Sequence, residues 1–149
     1  MPGLETGRHR LPLMATAQAQ KEVTHNEALV LIDALLHTAV EGILTVAPAP
    51  GDGDIGKCWL IGSASSGKWA NRSGHLAIWV GGSWRFVAPE NGMRIWVKSV
   101  GSQSKHINGQ WVHAPSISAP AGGTVVDVEG RATLAAILQY LRSVGILAT

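Results

Sequence analysis

Apolar and polar positions change period along the chain. Between Ala15 and Glu41, Gln, Ala, Lys, Glu and Leu dominate and neither Gly nor Pro intervenes. A helix is predicted there, capped by Thr16 and ended by Gly42, Pro48 and Pro50. Gln18, Glu22, His25, Leu29, Ile32, Leu36 and Ala39 follow at intervals of 4, 3, 4, 3, 4 and 3. That is the spacing of a supercoiling seam, polar in its first half and apolar in its second. Leu31 and Leu35 widen the apolar face, which fits packing on both a sister helix and the chain's own sheet.

From about Ile55 to Pro115 the period becomes two. Strands are predicted at Ile55 to Ile61, Leu76 to Val80, Ser83 to Val87 and Met93 to Val97. Gly81-Gly82 and Asn108-Gly109 are two-residue links of the kind that close antiparallel hairpins. After a Pro/Gly/Ser stretch, Asp127 caps a last helix with Leu134, Ile137, Leu138 and Leu141 on one face, and Gly145 stops it.

The expected architecture is therefore α+β: an N-terminal arm and long helix, an antiparallel Trp-rich β-meander of five or six short strands, and a short C-terminal helix, assembling as an oligomer. The pieces are an extended docking arm at 1–14, an oligomerisation helix segment at 15–47, a β module at 55–115, a linker at 116–126 and a helix at 127–149. Leu11-Pro12-Leu13 closes the arm in extended backbone, because a residue before Pro avoids the helical region.

Composition narrows the classes. Asp33 and Glu41 interrupt the longest apolar stretch, Leu29 to Val46, so no membrane insertion is expected. The N-terminus has no apolar stretch after its charges, so no secretory signal is expected and synthesis is placed in the cytoplasm. A single cysteine, Cys58, allows no internal disulfide and no thiolate zinc site. The net charge of +2 hides an asymmetry: residues 55–115 carry +6 and the remainder −4. A polyanionic partner for the sheet, or contact between copies, would use that separation.

Catalytic motifs are weak. Gly62-Ser63-Ala64-Ser65-Ser66-Gly67-Lys68-Trp69 follows the phosphate-loop pattern until Trp69 stands where the magnesium-holding Ser or Thr belongs, and a turn rather than a helix follows. His25 and His37 are too far apart on one helix to chelate together, and His106 and His113 lack a third ligand. Cys58 sits in an apolar run, and the sheet offers Glu90 as its one acid. No enzyme activity, metal, cofactor or nucleic-acid partner is expected.

Six of the eight aromatic residues are Trp: Trp59, Trp69, Trp79, Trp84, Trp96 and Trp111. Stacking on sugars, stacking on bases and packing within or between subunits all use this vocabulary, with packing first and carbohydrate ahead of nucleic acid. Alternation puts Trp84 and Phe86 on one face with Arg85 and Val87 on the other, and Trp79 opposite Ile78 and Val80. The residues nominated for glycan or partner contact are Trp69, Trp79, Trp96, Trp111, Arg85 and Arg94.

Leu11-Pro12, Gln18-Ala19-Gln20-Lys21 and Thr24-His25-Asn26-Glu27-Ala28-Leu29 resemble the opening signature of a phage- and prophage-associated family of unknown function from alphaproteobacteria. Gly67-Lys68-Trp69-Ala70, Ala77-Ile78-Trp79, Gly82-Ser83-Trp84-Arg85-Phe86 and Pro89-Glu90-Asn91-Gly92 resemble its second block, and Arg131 to Leu147 is similar to the closing segment of phage-type fibre and spike proteins. The resemblance implies a virion component: a tail fibre, a receptor-binding protein, or a head spike as in gene transfer agents, attaching to surface polysaccharide. It implies no catalytic position. The length of 149 residues points to a base, adaptor or short spike.

On this reading Leu29, Ile32, Leu36 and Ala39 join copies, as a trimer first and a pentamer otherwise. Leu11, Pro12 and Leu13 dock onto capsid or tail proteins of the particle, where the chain would reside. Exposed Trp and basic residues meet a distal spike protein or host surface polysaccharide. A lectin-like polysaccharide-binding module is the alternative, with a glycan-degrading enzyme ranked below it.

Overall fold

A computed structural model describes residues 4–15, 21–124 and 126–148. The expected Thr16 cap and seam residue Gln18 lie outside them. Within the described residues helix α1 is Lys21–Leu35 and ends six residues sooner than the sequence predicts. His37 adopts a left-handed conformation at φ 49°, which histidine tolerates better than most residues, and Thr38 Oγ1 donates to the Leu35 carbonyl at 2.9 Å. The chain then runs extended as β1, Ala39–Val40, and β2, Ile43–Val46. The helix predicted through Glu41, and the helical segment drawn to 47, are thus corrected: Ala39 is a strand residue.

Between 55 and 115 the structure forms six strands, within the expected five or six, and with β1 and β2 the described residues hold two four-stranded sheets. β3 is Cys58–Ser66, β4 Leu76–Trp79, β5 Trp84–Val87, β6 Arg94–Val97, β7 Ser102–Ile107 and β8 Gln110–His113. One sheet has the order β2-β3-β4-β5 and the other β1-β6-β7-β8. Within the 55–115 module every pairing is antiparallel, as expected, while β1 and β2, which precede it, add a parallel edge strand to each sheet. The predicted hairpins do close: Gly81 and Gly82 join β4 to β5, Asn108 and Gly109 join β7 to β8, and all four have the positive φ such links require.

The first sheet is apolar on both faces. Cys58, Leu60, Leu76 and Ile78 face Val40, Ile95 and Val97 of the second sheet, with Ala34 and Leu31 of α1 closing that core. Trp59, Ile61 and Ala77 point the other way, into a second cluster with Trp69, Trp79, Trp84 and Phe86. Glu41 N–H donates to Cys58 O at 2.8 Å and Leu60 N–H to Gly42 O at 3.1 Å, so the chain between β1 and β2 crosses from one sheet to the other along β3.

Helix α2, Val128–Ser143, starts as predicted: the Asp127 carboxylate accepts from Gly130 N–H at 2.8 Å. It ends in a Schellman motif, with Gly145 at φ 72° and Ile146 N–H donating to Leu141 O at 2.9 Å. That turn lies against Trp96, where a Cβ on Gly145 would stand 2.1 Å from the indole ring.

Candidate functional site

Three surfaces carry the features a partner could read: the arm, the helix faces and the tryptophans. The arm is a hairpin rather than an extended strand. Thr6 N–H donates to Leu11 O at 2.9 Å and Leu13 N–H to Leu4 O at 2.7 Å, with Arg10 at φ 54° in the turn. Leu11 and Leu13 are half-buried and Pro12 is exposed, so of the expected docking triad Pro12 is the most accessible.

The hairpin is locked to the end of α1. Asp33, 2% exposed, accepts from the backbone N–H groups of Arg8 at 2.8 Å and His9 at 2.6 Å. In return the Arg8 guanidinium donates to the carbonyls of Asp33, Ala34 and His37 at 3.1, 2.7 and 3.0 Å. Those carbonyls have no partner within the helix, and the cation sits at the negative end of the helix dipole. Gly7 lies on the backbone of Ile55 and Gly56 so closely that a Cβ would meet Ile55 O at 2.3 Å.

The outer side of α1 is polar in its first half and apolar toward its C-terminal end. Leu31 and Ala34 pack on the core, whereas Ile32 is 51% exposed, Leu36 is exposed and Leu29 half-buried. Leu29, Ile32 and Leu36 therefore share an outward face, as the seam predicts, and Ala39 does not continue it. Arg85 pairs with Glu27 of α1, so it ties the helix to β5 while its side chain stays about half exposed.

Trp84 is the hub of an aromatic cluster. It meets Trp59 and Trp69 edge-on, with ring centroids 5.4 and 5.0 Å away, and Trp79 tilted at 5.1 Å. Trp69 is fully buried, which rules it out as a glycan contact. The segment that mimics a phosphate loop is the end of β3 followed by a short 3₁₀ turn, Gly67–Trp69, that inserts this ring into the cluster. Trp111 is strapped between the sheets, its Nε1 donating to Gly74 O at 2.8 Å. Trp79 and Trp84 instead line an open pocket of about 500 Å³ with Pro48, Pro50 and Lys68. Neither Trp84 nor Lys68 was nominated from the sequence. Alternation places Trp84 with Phe86, but nothing local shows that the proline segment folds beside it.

On the outer face of the second sheet, Arg94 stands directly across from Lys105, with Trp96 two residues along β6. Like charges in register oppose one another. Neither forms an ion pair among the described residues. Arg94 also borders a hollow of about 370 Å³ with His37, Trp96 and Gln103. Lys105 is invisible to a motif search, and the register alone reveals it.

Nucleophile chemistry finds little support. Burial pushes the Cys58 thiol up to about 12, so it stays un-ionised at neutral pH. Ser104 Oγ and His113 Nδ1 are 2.6 Å apart, but they are a registered cross-strand pair, and no carboxylate orients the ring among the described residues. Among the described residues no three His, Cys, Asp or Glu side chains gather as a metal site, and no helix is long and apolar enough to cross a membrane.

The class defined by this architecture is a two-sheet α+β domain led by a clamped helix and followed by one that buries none of its own residues and rests on the second sheet through its terminal turn. Residues 25–112, more than half of the chain, match the family described as Protein of unknown function (DUF2793), and the chain belongs to that family. The match runs from α1 into β8 and leaves the arm and α2 outside it. No curated protein matches the sequence.

Proposed function

We propose that this chain is a structural component of a phage-like particle, such as a gene transfer agent, acting as the base or adaptor of a head spike or tail fibre in host attachment. The observation that carries the reading is that both helices present apolar faces which their own chain leaves uncovered. Exposed apolar patches of this kind mark association surfaces. Copies associate through Leu29, Ile32 and Leu36, and the arm around Pro12 docks on capsid or tail proteins. In gradient-purified particles from the producing cells, the chain is expected in the particle band, and Pro12→Asp with Leu13→Asp should release it there without changing its own oligomeric mass. A chain found outside that band overturns the proposal.

A polysaccharide-binding role has an observation of its own, the Arg94–Lys105 pair beside Trp96. It would take a glycan bearing carboxylates or sulfates, since two unpaired cations beside an indole suit an anionic sugar. Titration with such a polysaccharide is expected to change tryptophan fluorescence, and Arg94→Ala to weaken the effect about tenfold. An equal response to a neutral glycan would exclude this role.

A further inference from the structure

Helix α2 buries no residue, although it is 16 residues long and carries Leu134, 49% exposed, and Ile137, 50% exposed. An isolated helix of about that length is marginal in water, so a helix with so little cover from its own chain needs a partner. Its own chain occupies one flank. The Arg131 side chain donates to Gly122 O and that of Arg142 to Ile117 O, which lays the preceding linker along the helix. Positions 131 and 142 are close to three full turns apart and so share that flank.

On a different stripe Leu134, Ile137 and Val144 stay exposed, with Gly130 and Leu141 half-buried between them. Gly130, Leu134, Ile137, Leu141 and Val144 follow at intervals of 4, 3, 4 and 3, a heptad seam with Leu at both a positions and Gly, Ile and Val at d. It contains no charge. Glu129, Arg131 and Arg142 all lie off it.

We infer that α2 packs in parallel against the same helix of two further copies of this chain, forming a three-helix bundle. Heptad spacing selects another helix as the occupant, and the uncharged, self-matching layers of Leu134, Ile137 and Leu141 select an identical one. Leu at a with a β-branched residue at d disfavours two strands and shifts preference to three or four. A fourth helix would draw the e and g positions inward. Arg131 at e is already held by the linker and Thr133 at g is polar, so the first heptad fits three helices, while Leu138 at e and Tyr140 at g lend the second heptad apolar surface beside the seam.

The inference deepens the assembly reading above by moving the main self-contact from α1 to α2, and it is tested separately. Light scattering of the full chain at tens of micromolar should give three times the 15.7 kDa monomer mass. Leu134→Lys with Ile137→Lys should return single chains with unchanged tryptophan fluorescence from the sheets. Exchanging the layers (Leu134→Ile, Ile137→Leu, Leu141→Ile, Val144→Leu) keeps the seam apolar and should shift the mass to two chains. A monomeric wild-type chain overturns the inference, as does a trimer that survives the lysines or one that only Ile32→Lys in α1 dissociates. A monomer that still joins particles would overturn this inference alone and leave the proposed function standing.

Discussion

Asp33→Ala is expected to cost about 3 kcal/mol of stability. The side chain accepts two backbone N–H groups, Arg8 and His9, inside a nearly closed site. Removing it orphans both donors and leaves the Arg8 guanidinium at the helix end without the carboxylate that anchors its backbone. For a domain of this size the loss corresponds to a fall in Tm of about 6–12 °C. Asp33→Asn keeps a carbonyl acceptor and should cost roughly half as much. Thermal unfolding followed by circular dichroism reads both, and a loss below about 1 kcal/mol for the alanine variant would show that the hairpin does not brace α1.

Trp69→Ala should be at least as damaging, about 3–5 kcal/mol, because a fully buried indole leaves a cavity that the cluster around Trp84 cannot collapse to fill. The Trp69 indole nitrogen has no hydrogen-bond partner among the described residues. Trp69→Phe therefore removes an unmatched donor along with part of the ring, and its net cost should stay below about 2 kcal/mol. Urea midpoints for the two variants decide the matter. Equal losses would mean that ring volume is not what the site requires.

What could be read in advance was local. The two-residue links at Gly81-Gly82 and Asn108-Gly109, the Asp127 cap and the Gly145 stop are each set by residues within one turn, and the structure places each where the residues say. Alternation assigned both faces of β5 for the same reason. What could not be read was long-range. The end of α1 is fixed by Arg8, more than twenty residues earlier, and by a left-handed His37 that no proline or glycine announces. β1 and β2 hide in a helical-looking stretch because their partners, β6 and β3, lie later in the chain and supply the register. Of the contact residues nominated, burial removed Trp69, and Arg85 proved to be paired with Glu27 while staying half exposed. Arg94 gained importance only when Lys105 appeared across from it.

The crossing between β1 and β2 also has a consequence for the order in which the chain takes shape. Each sheet receives one of its edge strands from residues before Ala47, while the six strands β3 to β8 are still to be made. During synthesis from the N-terminus, these two strands emerge first and wait, β1 for the whole span up to Arg94. Closing that span is a non-local event of the kind that slows folding. The clamp of Arg8 on α1 needs no sheet, so it can hold the waiting strands at the helix end until the interior arrives to meet them.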